Sequence, residues 1–246
     1  MKRFLPFLIA VQFLTRFPVR LRAIPAEREL GRSLLYYPLV GLLLGLLLAA
    51  LGAALGNTGN LLGAAILLSA WVLVSGGLHL DGLADSADAW VGGLGDRERT
   101  LAIMKDPYCG PAAVVTLALV LLLKFAALTV LLERGDGSLL VLAPLLGRCA
   151  LPALFLTTNY VRPGGLGDVL ARHMPRRATY IVVLATLLAV PAALGMAAAW
   201  PLLAALAMFG GLRAGMIRRL GGTTGDTAGA LVELLETAVL VTAALG

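Results

Sequence analysis

The chain reads GGLHLDGLADSAD from Gly76 to Asp88, directly after a long apolar segment. At about 100° per residue, a helix places Asp81, Asp85 and Asp88 within roughly 40° of one line along its surface. Three carboxylates on one stripe repel one another, and each is costly to desolvate near a bilayer. A hard cation neutralises such a stripe, and Mg²⁺ is the usual one where phosphates are handled. The stretch therefore predicts a membrane enzyme that binds Mg²⁺ through Asp81, Asp85 and Asp88 and acts on a phosphorylated substrate.

A simpler interpretation of this stretch is a solvated acidic turn at the start of an interfacial helix, where carboxylates favour the helix dipole. The repeated aspartates and the glycines at 76, 77 and 82 favour the metal site instead. His79, just ahead of the stripe, is either a hydrogen-bonded helix cap or a general base beside the carboxylates.

The composition is that of an integral membrane protein. Of the 246 residues, 59% are apolar and only 14% are charged, whereas soluble domains carry about 25% charged residues. The mean hydropathy is +0.91. A net charge of +6 would favour nucleic acid as the partner of a soluble protein, but here Lys and Arg collect in the connections between apolar stretches, as in cytoplasmic loops. We expect one membrane domain over residues 1–246, in contact with membrane lipid and with no nucleic acid partner.

The apolar stretches predict an all-α, polytopic helical bundle of about seven spans. Since a span needs about 20 residues, the candidates are 34–55, 60–78, 112–132, 138–159, 179–199, 201–217 and 228–245. The turns at 56–60 and at Trp200-Pro201 carry no charge. The segment 4–17 is too short to cross the bilayer, so we predict that it is interfacial or re-entrant.

Every second connection is rich in Arg and Lys, as the positive-inside rule requires. The basic connections are residues 1–33 and the loops 79–111, 160–178 and 213–227. We therefore expect the N-terminus inside and the C-terminus outside a bacterial inner membrane. The three loops then form an active-site face on the cytoplasmic side.

Arg97, Arg99 and Lys105 in the first of these loops can clamp phosphate oxygens, which Arg does with a two-pronged fork. The same segment also fits an amphipathic interfacial helix whose apolar residues dip into lipid. Taken alone, this segment favours the interfacial helix.

The glycine-rich run from Leu220 to Ala230 opens the last span. Backbone N–H groups at such a helix start favour an anion, while Thr224 or Asp226 can equally cap the helix. Glu233 and Glu236 follow inside the span and should face the bundle interior, because intramembrane carboxylates are costly. They can reach a metal, bind a cationic or amide-bearing substrate, or pair with Arg148.

These motifs together resemble the cobalamin synthase family, the adenosylcobinamide-GDP ribazoletransferases, nearly end to end. The resemblance rests on QFLTRFP from Gln12, YPLVG from Tyr37, GLHLDGLAD from Gly77 with Asp88, RERTLAIMKD from Arg97, and LGGTTGD from Leu220 with Glu233. The chain departs from the family after Asp106, where it reads PYCGP. The family often has a hydroxyl or basic residue before that glycine. Here Pro107 is expected to fix a turn.

The resemblance implies that adenosylcobinamide-GDP and α-ribazole, or its 5′-phosphate, give adenosylcobalamin, or its 5′-phosphate, and GMP, with Mg²⁺ required. Asp81, Asp85 and Asp88 would hold Mg²⁺ on the diphosphate, and Asp226 would complete the coordination or bind a second ion. His79, Asp81 and Asp85 would be the catalytic residues, with His79 or an aspartate accepting the hydroxyl proton. The implied substrate-binding residues are Arg97, Arg99, Lys105, Asp106, Thr224 and Glu233.

Two other classes of protein compete with this interpretation. A CDP-alcohol phosphotransferase also breaks a diphosphate with aspartate-bound metal, but its longer motif has an Arg after Ala that is missing after Ala84. An ion-coupled transporter can carry Asp and Glu in its bundle, but internal repeats, common in transporters, are not visible here. As further partners we consider a second copy of the chain or other cobalamin-assembly enzymes.

Overall fold

The computed structural model describes residues 4–21, 23–56 and 59–246. Over these residues it consists of helices, turns and loops without a β-strand, so the predicted all-α bundle is confirmed. Residues 1–3 and Arg22 of the basic N-terminal segment, and residues 57–58 of the predicted turn 56–60, lie outside the described part.

Thirteen α-helices are defined within the described residues. They are α1 (Leu5–Leu14), α2 (Glu27–Ser33), α3 (Tyr37–Leu55), α4 (Asn60–Ser75), α5 (Leu78–Gly92), α6 (Arg97–Ile103), α7 (Pro111–Arg134), α8 (Gly137–Leu140), α9 (Leu142–Thr157), α10 (Leu166–His173), α11 (Arg176–Leu194), α12 (Ala199–Leu220) and α13 (Gly225–Leu245).

Five helical segments of the described chain are long and apolar enough to cross a membrane, or up to six if the bent pair α4 and α5 counts as one span. The longest of them, Arg176–Leu220, has 45 residues and folds back on itself. Nη2 of Arg176 donates to the Leu156 carbonyl at 2.8 Å, and Nη2 of Arg213 donates to the Thr157 carbonyl at 2.5 Å. The start of α11 and the last turns of α12 therefore meet at the same end of α9. The two arms correspond to the predicted spans 179–199 and 201–217.

The turn between these arms differs from the prediction. It lies at Gly195–Ala198, a short 3-10 segment that begins at φ +57, and not at Trp200-Pro201. Pro201 belongs to the first turn of α12, where the missing N–H of proline removes no helical hydrogen bond.

The predicted span 60–78 ends earlier than expected, at Ser75, and the loop predicted at 79–111 contains α5 and α6. The axes of α4 and α5 meet at 88°. Gly76 and Gly77 make this corner with φ +67 and φ +68, a left-handed conformation that costs glycine little. The stripe of Asp81, Asp85 and Asp88 is helical as predicted, because all three belong to α5.

Helix α5 lies across one end of the bundle and touches three other helices in turn. A Cβ on Gly82 would stand 2.7 Å from the Asp226 carbonyl oxygen at the start of α13. The carboxylate of Asp88 accepts hydrogen bonds from the N–H group of Gly110, at the start of α7. Nη2 of Arg219, near the end of α12, donates to the Trp90 carbonyl at 3.1 Å. This helix therefore ties the ends of α13, α7 and α12 together.

Burial divides the bundle into a centre and a periphery. In the most apolar 18-residue stretch of each segment, 78% is buried in Gly137–Thr157 and 72% in Gly225–Leu245. The corresponding share in Arg176–Leu220 is 17%. Helices α9 and α13 form the centre, and the α11–α12 hairpin presents its leucines outward. Helix α1 has ten residues, which is too few to cross a bilayer, as predicted for this segment.

Candidate active site

The structure brings together the three basic loops singled out from the sequence. Backbone hydrogen bonds join Val161 N–H to the Thr223 carbonyl at 2.9 Å and Thr223 N–H to the Asn159 carbonyl at 2.8 Å. Nε of Arg97 donates to the Leu220 carbonyl at 2.8 Å. Residues 79–111, 160–178 and 213–227 thus meet at the end of the bundle that α5 crosses.

A cleft of about 300 Å³ opens between α5, α13 and the segment after α9. Its lining combines aromatic rings, glycines and a small set of polar side chains. The polar or titratable lining residues are Tyr37, His79, Asp81, Tyr160, Arg162 and Asp226. A concave site with a few convergent polar groups is the usual form of a small-molecule site.

His79 forms part of the cleft wall in the first turn of α5. Its side chain is only 4% exposed, and its Nδ1 has no hydrogen-bond partner among the described residues. The backbone of α13 passes close by, because a Cβ on Gly229 would lie 3.3 Å from the His79 Cα. A buried ring nitrogen without a partner at a cleft wall suits a proton acceptor better than a satisfied helix cap.

The three aspartates of the stripe have different surroundings. Asp81 is exposed and lines the cleft, and Asp85 is half-buried. The charges of Asp81, Asp226 and Asp88 all act on the Asp85 carboxyl group. Asp88 instead accepts hydrogen bonds from the N–H groups of Gly110 at 2.6 Å and of Ala113 at 2.9 Å. It therefore holds the first turn of α7, a role the stripe pattern did not predict.

The carboxylates at this end of the bundle suit Mg²⁺ as a pair. Within the described part of the chain, no three His, Cys, Asp or Glu side chains form a group that could hold a metal ion. Mg²⁺ is commonly bound through one or two carboxylates, with phosphates and waters as the other ligands. Asp81 and Asp85, one helical turn apart and electrostatically coupled, fit that pattern. The oxygens of Asp88 are already engaged by backbone N–H groups.

Asp226 and Arg162 form an ion pair in the cleft. Arg162 Nη2 lies 2.8 Å from Asp226 Oδ2, while Arg162 Nε is buried without a hydrogen-bond partner among the described residues. Tyr160 stands beside them, with its hydroxyl close to Gly225 at the start of α13. Burial raises the pKa of Tyr160 above its ordinary value, so this hydroxyl keeps its proton at neutral pH.

The predicted phosphate-binding residues of α6 and the turn after it do not line the cleft. Arg97 is anchored to the Leu220 carbonyl, and Arg99, Lys105 and Asp106 are exposed. Oδ1 of Asp106 accepts a hydrogen bond from the Tyr108 N–H at 3.1 Å. The residues after Asp106 thus form a turn, as expected from Pro107.

Thr224 caps α13, which was one of the two roles predicted for it. Its Oγ1 accepts from the Thr227 N–H at 3.2 Å, and Thr227 Oγ1 accepts from the Thr224 N–H at 2.9 Å. Because Thr224 is fully buried in this capping box, its hydroxyl is not presented to the cleft for the predicted substrate contact.

Glu233 and Glu236 belong to a buried ionic network. Lys124 Nζ lies 2.5 Å from Glu233 Oε2 and 2.7 Å from Glu236 Oε2, and Arg148 contacts the other oxygen of Glu236. Of the three roles left open by the sequence, pairing with Arg148 is the one observed for Glu236. Glu233 is bound by Lys124 and does not line the cleft, so the structure gives no support to its predicted substrate contact.

Two residues of this region were missed by sequence reasoning. Lys124 was not singled out, although a lone lysine inside the apolar helix α7 is itself a signal for a buried partner. Arg162 was counted only as a loop charge, and no local pattern indicated that it enters the cleft.

The fold and this cleft define a polytopic membrane enzyme with carboxylate and guanidinium groups at one end of its bundle. A protein-family model described as Cobalamin-5-phosphate synthase matches residues 6–244. The chain therefore belongs to the cobalamin-5-phosphate synthase family and is a transferase of cobalamin synthesis.

Curated relatives match over nearly the whole chain and carry the name adenosylcobinamide-GDP ribazoletransferase. The protein of Pseudomonas putida GB-1 is 64% identical over 242 residues, covering 98% of this chain and 99% of its own length. That of Pseudomonas fluorescens Pf-5 is 64% identical over 241 residues, with the same coverage. That of Pseudomonas aeruginosa PAO1 is 60% identical over 238 residues, covering 97% of each chain. No solved structure matches the chain.

Proposed function

We propose that the protein joins adenosylcobinamide-GDP to α-ribazole, or to α-ribazole 5′-phosphate, in a Mg²⁺-dependent reaction. The products are adenosylcobalamin, or its 5′-phosphate, and GMP. The observation that carries this proposal is the cleft in which His79, Asp81, Arg162 and Asp226 converge. It is supported by whole-length relatives that carry the name of this activity.

The reaction exchanges one phosphoryl partner for another. A ribazole hydroxyl attacks the phosphorus next to cobinamide, a new P–O bond forms, and the bond to the bridging oxygen of the diphosphate breaks. GMP leaves with that oxygen and the other phosphate. The attacking hydroxyl loses a proton, and we propose His79 Nδ1 as the acceptor, because it is buried and has no hydrogen-bond partner among the described residues. An aspartate of the stripe is the alternative acceptor.

Asp81 and Asp85 are the proposed Mg²⁺ ligands, and Asp226 joins them once it leaves its ion pair with Arg162. When bound, Mg²⁺ supplies charge stabilisation for the leaving phosphate. The ligand role of Asp88 stays a prediction, and its hydrogen bonds to α7 assign it a structural role as well.

The exposed side chains of Arg99 and Lys105 remain predicted contacts of the nucleotide phosphate outside the cleft. Arg97 and Asp106 belong to the same prediction, although each already has a partner within the chain. Their role is to neutralise phosphate oxygens that the cleft does not enclose.

The site is proposed to face the cytoplasm of a bacterial cell, with the N-terminus inside and the C-terminus outside the inner membrane. The basic loops meet at the end that carries the cleft, and such loops remain cytoplasmic. Cys109 in loop 79–111 is exposed, and Cys149 is buried. A membrane-impermeant maleimide should therefore label inverted vesicles but not spheroplasts, and labelling of spheroplasts would refute the orientation. Self-association and contact with other cobalamin-assembly enzymes stay predictions.

The reaction is tested by incubating purified protein with adenosylcobinamide-GDP, α-ribazole and Mg²⁺. GMP release and a cobalamin product are expected, and both should be lost on chelation of the metal. The Asp85→Asn variant should lose activity or require more Mg²⁺. A folded protein that releases no GMP under these conditions would refute the proposal. Full activity of Asp85→Asn would refute the ligand assignment alone.

A further inference from the structure

We propose that Arg162 binds the diphosphate of the activated substrate, and that its ion pair with Asp226 is the contact the substrate replaces. The inference rests on the proposed function and deepens it. It assigns a binding residue inside the cleft, whereas the phosphate contacts predicted from the sequence lie on α6 and in the turn that follows it.

The guanidinium group of Arg162 is suited to a diphosphate by its chemistry and by its place in the cleft. Among the described residues that line the cleft, Arg162 is the one lysine or arginine. Its Nη2 is paired with Asp226, whereas Nε is buried without a hydrogen-bond partner among the described residues. Arginine has five N–H donors in a fork that matches two phosphate oxygens. Buried donors without aligned acceptors are costly, and phosphate oxygens would supply those acceptors.

The backbone that carries Arg162 is fixed in advance, so that only its side chain has to turn. The preceding residue, Val161, donates its N–H to the Thr223 carbonyl, and Thr223 donates to the Asn159 carbonyl. The two backbone segments approach so closely that a Cβ on Gly222 would overlap the Asn159 carbonyl oxygen. Arg162 therefore leaves a rigid bridge between the segment after α9 and the start of α13. A pre-positioned arginine loses less entropy when it binds an anion.

The charges that line the cleft also fit a diphosphate that carries a cation. Asp81 and Asp226 line it together with Arg162, so an anion meets two carboxylates and one guanidinium. The N-terminus of α13, a helix of 21 residues, adds a positive dipole end at Gly225. If Arg162 turns from Asp226 to the phosphate, Asp226 is free for a cation while Arg162 compensates the anion. A single change of partner would thus place Arg162 on the diphosphate and leave Asp226 for the cation that the diphosphate carries.

The proposal is tested by equilibrium binding, with the ribazole substrate left out so that no turnover occurs. Purified protein is dialysed against adenosylcobinamide-GDP and, separately, against adenosylcobinamide, which lacks the diphosphate. In Arg162→Gln we expect affinity for adenosylcobinamide-GDP to fall roughly tenfold or more, as for a lost charge-assisted hydrogen bond. Affinity for adenosylcobinamide should not change. A general loss of structure would weaken both.

Arg172→Gln is the matched control. This arginine lies in the same loop on α10, is paired with Asp168 at 2.8 Å and is 67% exposed. Its replacement should leave both affinities as they are. If Arg162→Gln fails to fold, Arg162→Lys keeps the charge opposite Asp226 but not the fork, and it should still bind adenosylcobinamide-GDP more weakly than the wild type.

A double variant separates binding of the phosphate from mere neutralisation of Asp226. If Arg162 only offsets that carboxylate, Arg162→Gln combined with Asp226→Asn will restore binding, and the proposal is overturned. If Arg162 contacts the diphosphate, the double variant will bind as weakly as Arg162→Gln. Unchanged affinity in Arg162→Gln would also overturn it. Failure of the wild type to bind adenosylcobinamide-GDP would instead reject the proposed function and this inference together.

Discussion

The ammonium group of Lys124 lies 2.5 Å from the carboxylate of Glu233, and the two side chains are only 3% and 6% exposed. Glu236 is bound by the same ammonium and by Arg148, so the network contains two positive and two negative groups. The ring centre of Trp71 lies 4.7 Å from Lys124 Nζ. The network joins α7, α9 and α13 at their buried faces, where an unbalanced charge would have no solvent to stabilise it.

Replacing Lys124 by Met should destabilise the protein strongly, because it leaves a buried carboxylate without a partner. Loss of one member of a buried ion pair costs about 3–5 kcal/mol. The combination Lys124→Met with Glu233→Gln restores the balance of charge and should recover much of that stability. Thermal unfolding in detergent measures both. Leu123→Met, on the half-exposed neighbour, is the control, and equal unfolding temperatures for the single and double variants would contradict this account.

Asp88→Ala should lower stability more than it alters the metal requirement. The variant frees the N–H groups of Gly110 and Ala113 at the start of α7, and loss of such a cap costs about 0.5–2 kcal/mol. Asp85→Asn is the comparison, because it should raise the Mg²⁺ concentration needed for activity with little change in unfolding temperature. The two variants are compared by thermal unfolding and by Mg²⁺ titration of GMP release. If Asp88→Ala changed only the Mg²⁺ dependence, Asp88 would be a ligand and not a helix clamp.

Gly82→Ala should separate α5 from α13. The added methyl group would lie 2.7 Å from the Asp226 carbonyl oxygen, and backbone cannot move aside as a side chain can. Overpacking of this kind costs about 1–3 kcal/mol, and it should also lower activity by moving Asp81. Gly215→Ala is the control, since its Cβ would meet nothing within 4 Å. Unfolding temperature and GMP release are the measurements. Wild-type behaviour of Gly82→Ala would mean that the two helices are not held this closely.

Gly222→Ala should weaken binding of adenosylcobinamide-GDP without touching any charged group. Its methyl group cannot fit beside the Asn159 carbonyl, so the backbone bridge that positions Arg162 must open. We expect a loss of affinity in the same direction as for Arg162→Gln, measured by the same dialysis. Gly210→Ala, with open space around its Cβ, should bind normally. Unchanged affinity in Gly222→Ala would show that the bridge does not position the arginine.

The features that the sequence predicted correctly are those set by local periodicity or by composition. The helical stripe of Asp81 and Asp85 follows from residue spacing, and the spans follow from runs of apolar residues long enough for a bilayer. The cap at Thr224 also follows from its own neighbours, since a capping box is a local pattern.

The features that were missed depend on which helices become neighbours. Asp88 shares the spacing of the stripe, yet its partner Gly110 lies 22 residues further along the chain. Lys124 pairs with Glu233 across 109 residues, and Arg162 reaches Asp226 only because a backbone bridge joins the two loops. In each case the sequence around one residue of the contact does not indicate which distant residue is its partner.

The right-angled corner at Gly76 and Gly77 also determines how far the acidic groups are spread along the axis of α4. From Asp81 to Asp88 a helix rises about 10 Å, so a straight continuation of α4 would have spread the stripe over that distance along the axis of α4. Because α5 turns by 88° and runs across the ends of α7, α12 and α13, all three carboxylates stay at nearly one level. The three carboxylates therefore lie along one end of the bundle instead of descending along the axis of α4 between its apolar neighbours.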